Sequence, residues 1–105
     1  MQTPNTLRPE ALKLTAQIVR QTRMPFGKAQ KQAWATVKLK AEMLQKPVSF
    51  FYRKDDGSKR FAVGHYPTID TVTPTDKPGN PLVHRYYDTL VNGWRSFRAD
   101  RLLID

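Results

Sequence analysis

Val48-Ser49-Phe50-Phe51-Tyr52-Arg53, then Asp55-Asp56-Gly57-Ser58, then Lys59-Arg60-Phe61-Ala62-Val63-Gly64-His65 is the stretch on which the architecture turns. Both flanks are rich in aromatic and β-branched residues, which suit a pleated, half-buried surface. The Asp-Asp-Gly-Ser segment between them is turn chemistry, so the two flanks read as one β-hairpin. Downstream, Leu82 to Asp88 reads as a third strand and Trp94 to Arg98 as a fourth. Asn92-Gly93 between them is a turn whose residues both accept positive φ. Arg101-Leu102-Leu103-Ile104 reads as a short turn and a terminal strand. Pro67 to Pro81 carries four prolines and few apolar residues, a long surface loop with room for a short strand around Ile69–Val72. Four or five short strands in this span imply a small, strongly curved barrel.

Upstream of Lys46-Pro47 the period changes to that of a helix. A first helix is expected over Arg8–Arg23, with Pro9 in its first turn, where a missing N–H costs little. Ala11, Leu12, Thr15, Ala16, Ile18 and Val19 fall on one side; Lys13, Gln17 and Arg20 fall opposite. Met24-Pro25-Phe26-Gly27 interrupts. A second helix is expected from Gly27, as N-cap, to Leu44, with an apolar face of Ala33, Trp34, Val37, Ala41 and Leu44 and with Phe26 packed back on its first turn. Lys40 lies beside that stripe and must carry its ammonium outward; Leu39 points away from it, toward the barrel or toward a partner.

Composition narrows the class. Hydrophobic residues are 39% and charged residues 26% of a 105-residue chain, a globular mixture with one core. The absence of cysteine excludes disulfides, thiol catalysis and thiolate zinc sites, and fits a reducing compartment. No apolar run is long enough to span a bilayer and the N-terminus lacks a signal-peptide layout, so a cytoplasmic protein with no membrane contact is expected.

The net charge is +9 and it is unevenly placed. Residues 1–46 carry nine Lys/Arg against two acids, +7; residues 47–105 carry nine against seven, +2. A clustered basic surface attracts polyanions far better than dispersed charge. Lys13, Arg20, Lys28, Lys31 and Lys38 form a basic helical face suited to phosphates, or alternatively a solvated surface. On the barrel, Arg53, Lys59, Arg60, Arg95 and Arg98 alternate with Phe51, Tyr52, Tyr86, Trp94 and Phe97. Cations beside rings suit stacked bases, although a barrel this small needs most of its rings for its core. His65 and His84 lack the partners that catalysis or metal ligation requires, and no phosphate-binding Gly-rich loop is present, so no enzyme, metal or cofactor is expected.

The hairpin Val48–Arg60 with Ala62 and Gly64 resembles the first hairpin of small "SH3 β-barrel fold-containing" proteins of Bacteroidales, their phages and their mobile elements. Tyr86-Tyr87-Asp88, Gly93-Trp94-Arg95-Ser96-Phe97-Arg98 and Arg101-Leu102 resemble that family's last hairpin and, more distantly, the arginine-bearing end of WYL domains; Ala33-Trp34 resembles a pair in its second helix. The Trp-Tyr-Leu tripeptide is replaced by Arg85-Tyr86-Tyr87, and the usual hydroxyl N-cap of the second helix by Gly27. The resemblance implies an SH3-like barrel with a helical extension, in a bacterial host cell carrying a phage or mobile element. By analogy with WYL domains, Arg98 and Arg101, with Asp100 between them, form either an anion pocket or a local ion pair that closes the barrel.

The expected fold is therefore α+β: a two-helix hairpin (1–46) packed on an SH3-like barrel of four to five strands (47–105), together one compact domain. The expected function is phosphate-led, weakly sequence-selective binding of nucleic acid, DNA or RNA, by an accessory protein. The alternative is a protein-binding module or inhibitor that docks on an acidic protein partner through the Pro67–Pro81 loop and Leu39.

Overall fold

The computed structural model describes residues 4–66 and 80–104. Two helices, α1 (Pro4–Thr22) and α2 (Phe26–Met43), precede five strands: β1 (Val48–Arg53), β2 (Lys59–His65), β3 (Val83–Asp88), β4 (Gly93–Arg98) and β5 (Leu102–Leu103). A single 3-10 turn, Ala99–Arg101, separates β4 from β5. The strands form one antiparallel sheet in the order β4-β3-β2-β1-β5. The Pro67–Pro81 loop and its short strand lie, apart from Asn80 and Pro81, outside the described residues.

The sheet curls until its first and fourth strands meet. β1 and β4 are not hydrogen-bonded neighbours, yet Phe97 lies 5.4 Å from Phe50 and 5.8 Å from Tyr52, ring centre to ring centre. Tyr86 fits edge-on against Phe50, and its hydroxyl shares a buried 2.8 Å hydrogen bond with that of Tyr52. Burial, with this bond, holds the Tyr86 phenol well above its ordinary range. Tyr52, Tyr86 and Phe97 are thus core rings.

Helices and barrel share the work of burial. Leu39 is 7% exposed and packs with Met43 into the barrel rings, so of its two expected destinations it takes the barrel. Conversely, Leu82 and Ala99 from the barrel side join Leu7, Ala11, Leu14, Ile18, Ala29, Ala33 and Val37 between the helices. Gly64 marks a close approach of helix and strand. A Cβ there would come 2.5 Å from the Met43 sulfur and 2.9 Å from the Phe50 ring, so the helix end can seat against β2 only over a glycine.

Several local expectations are corrected. α1 begins at Pro4, so Pro9 lies inside the helix rather than in its first turn, on an exposed position. Its stripe is Leu7-Ala11-Leu14-Thr15-Ile18; Leu12 and Ala16 face outward, while Thr15 is buried because its hydroxyl donates to the Ala11 carbonyl at 2.7 Å. Pro25, not Gly27, occupies the N-cap of α2 and offers no side-chain cap, and Phe26 is 60% exposed rather than packed back. The buried face of α2 is Ala29, Gln32, Ala33, Thr36, Val37, Leu39 and Met43, with Leu44 exposed. At the second turn Asn92 alone takes positive φ, +52°; Gly93 begins β4.

Candidate nucleic-acid interface

Strand alternation sets what faces the barrel's open side. In β2, Arg60 shares the inner face with Ala62 and Gly64, opposite Tyr52. In β4, Arg95 lies opposite Tyr86 on that same face, while Arg98 pairs in register with Val83 and Arg85 with Ser96 on the other. Because β4 is a sheet edge, both of its faces border one open cleft of about 910 Å³, walled on the far side by the tip of the β1–β2 hairpin. Among the described residues seven cations line it, Arg53, Lys54, Arg60, Arg85, Arg95, Arg98 and Arg101, against two acids, Asp55 and Asp56.

These cations differ in what already holds them. Arg60 donates to Asp88 at 3.1 Å, a contact that raises its pKa above the already high guanidinium value. Arg98 binds Asp100 through Nε at 2.9 Å and Nη2 at 3.2 Å, and Arg101 binds Asp55. The pair proposed as an anion pocket therefore spends donors on carboxylates, the geometry of an ion pair beside β5. Arg53, Arg85 and Arg95 have no carboxylate partner among the described residues. Arg53 Nη1 donates to the Gly57 carbonyl at 3.0 Å, Arg95 Nη1 to the Trp94 carbonyl at 2.9 Å, and the Arg85 guanidinium lies 5.3 Å from the centre of the Trp94 ring. Each keeps other N–H groups for a ligand.

Of the barrel residues singled out from sequence, Arg53, Arg60, Arg95 and Arg98 meet in the cleft. Lys59 stands outside it, 4.7 Å from the centre of the exposed Phe51 ring. Lys13, Arg20, Lys28, Lys31 and Lys38 are all exposed, as expected, but none lines the cleft. Lys40, also helical, turns inward and bridges Glu10 (3.8 Å) and His84 Nδ1 (3.2 Å) instead of carrying its ammonium outward. Arg85 was missed by sequence reasoning. Its signal was parity, since it shares a face with Tyr87 and lies diagonal to Trp94.

His84 is a partly buried ring tied to α2. Burial, with the Lys40 charge beside it, lowers its pKa to about 3, so the ring is neutral. Lys40 donates to Nδ1, which leaves the proton on Nε2, an atom buried without a partner among the described residues. No group of three or more metal-ligating side chains occurs among the described residues, and no described helix is long and apolar enough to cross a membrane.

A family model described as WYL_2, Sm-like SH3 beta-barrel fold, matches residues 36–103, well over half of the chain. The chain belongs to the WYL_2 family. No curated protein and no solved structure matches it. The WYL_2 match begins at Thr36, inside α2, and so takes in Leu39 and Met43, the two helical side chains seated among the barrel rings. It also spans every residue of the arginine cleft.

Proposed function

We propose that this WYL_2 protein is a nucleic-acid-binding accessory protein whose phosphate contacts are made in the cleft beside β4. The observation that carries this reading is the excess of seven cations over two acids there, with Arg53, Arg85 and Arg95 free of carboxylates among the described residues. Guanidinium forks match phosphate oxygens two at a time, and neutralising phosphates releases condensed counterions, which gives affinity without sequence preference. The exposed helical cations Lys13, Arg20, Lys28, Lys31 and Lys38 add long-range attraction. The protein acts by binding rather than by catalysis. Its resemblance to proteins of Bacteroidales phages and mobile elements supports a setting in the cytoplasm of a bacterial host.

Fluorescence anisotropy with a labelled oligonucleotide at rising salt tests this. Binding is expected to weaken linearly on a log–log plot, and Arg85→Ala and Arg95→Ala each to reduce the slope by about 1. Absence of binding at low salt, or binding indifferent to salt, would overturn it. If Lys28→Ala and Lys31→Ala alter the slope while the cleft variants do not, the phosphate path lies on the helices and the cleft is the wrong site.

A further inference from the structure

The hairpin β1–β2 carries two rings that the core does not use. Phe51 and Phe61 are cross-strand partners on the outer face, 40% and 46% exposed, with centroids 4.9 Å apart. Their face extends to Leu103 of β5, which pairs with Phe51 in register. Arg53, two residues along the same face, lies opposite Lys59 and also lines the cleft. The rings and the cleft are therefore one continuous surface with Arg53 at the junction.

We propose that the polymer bound is an unpaired strand, its phosphates in the cleft and its bases on Phe51 and Phe61; this rests on the cleft reading above. A cross-strand ring pair also stabilises a hairpin, and that alone would explain two phenylalanines. What points to a ligand is their surroundings. Lys59 holds its ammonium over Phe51, and the nearby carboxylates are engaged elsewhere, Asp55 by Arg101 and Asp56 by the Ser58 backbone and hydroxyl. The Asp56 contacts also lower its pKa, keeping it an acceptor committed to its own turn. An ammonium over an exposed ring is weakly held. A base arriving there displaces it, and the flexible lysine stem carries the charge to the adjoining phosphate. Base–ring stacking tolerates any sequence because every base has a π face, but a duplex keeps those faces covered by its own stacking.

Three ligands separate the two claims: an oligothymidylate of about twelve nucleotides, an abasic strand of the same length, and a duplex. The wild-type protein is expected to bind the oligothymidylate about tenfold tighter than the abasic strand, and tighter than the duplex at equal salt. Phe51→Ala/Phe61→Ala should bind oligothymidylate and abasic strand alike, with abasic affinity unchanged. Equal wild-type affinity for oligothymidylate and abasic strand overturns the ring platform while leaving the cleft intact. Failure to bind any of the three removes the cleft, and the platform with it.

Discussion

Arg60 on β2 and Asp88 at the end of β3 are joined by a 3.1 Å ion pair at a narrow seam of the sheet, between its two hairpins. The β2–β3 ladder is only two residue pairs long, Gly64↔Asp88 and His65↔Tyr87. Asp88 is buried, and its other oxygen accepts the Leu90 N–H at 2.9 Å, which starts the turn toward β4. One carboxylate thus laces two hairpins together and shapes the turn that follows.

Removing that carboxylate leaves a partly buried guanidinium without its partner and the Leu90 N–H without its acceptor. Asp88→Ala is expected to cost about 3 kcal/mol of unfolding free energy, read by urea denaturation. Arg60→Met should cost at least as much, because it strands the fully buried Asp88 carboxylate without its counterion even though the Leu90 contact survives.

Gly64→Ala forces a methyl against the Met43 sulfur and the Phe50 ring. A loss of about 1–3 kcal/mol is expected. Met43→Ala in the same chain should recover part of it, so that the double-mutant cycle is non-additive, with a coupling above about 0.5 kcal/mol. Additive effects would mean that the methyl is accommodated elsewhere.

Gln32 crosses from α2 to the end of the barrel, donating through Nε2 to the Ala99 carbonyl at 2.9 Å and the Leu102 carbonyl at 2.8 Å. Gln32→Leu keeps the volume and strips both carbonyls of a donor. The expected loss is about 1–3 kcal/mol, and hydrogen exchange should speed up in β5 before it does in β3.

The buried neutral ring of His84 makes stability depend on pH. In the unfolded chain this imidazole takes up a proton near pH 6.5, whereas in the fold it resists protonation down to about 3. The unfolded state therefore binds the extra proton between these values. Stability from this group is complete above pH 6.5 and falls by up to about 1.4 kcal/mol per pH unit below it. His84→Leu should flatten that part of the stability–pH curve; an unchanged curve would show that His84 is protonated in the native state.

The first hairpin was legible residue by residue. Alternation, a hydrophilic tip and Gly57 at φ +88° leave one register, and a shift by one residue would turn Phe50 and Tyr52 to solvent. The faces of α1 were less legible. Alanine and threonine fit either side of a helix, so Leu12 and Leu14 compete for the stripe, and only contact with α2 and Leu82 chooses Leu14. Gln32 was invisible for a related reason: a polar residue on a buried face has a meaning only when its acceptors, nearly seventy residues away, are known. Among the cleft cations, the local Arg98–Asp100 pair was one of the two readings open from sequence, but the long-range ties were not legible. That Arg60 faces Asp88 and Arg101 faces Asp55 depends on how far the strands curl.

Met43 and Leu39 act as a cork for the mouth of the barrel, with Gly64 as the socket cut to receive it. Trimming the chain at the helix–strand junction, the obvious place for a shortened fragment, would pull that cork and wet the rings of Phe50 and Tyr86. A fragment that starts at Thr36 keeps the cork but strips Leu82 and Ala99 of their helical cover and β5 of its Gln32 tie, so the barrel needs both helices to stay dry.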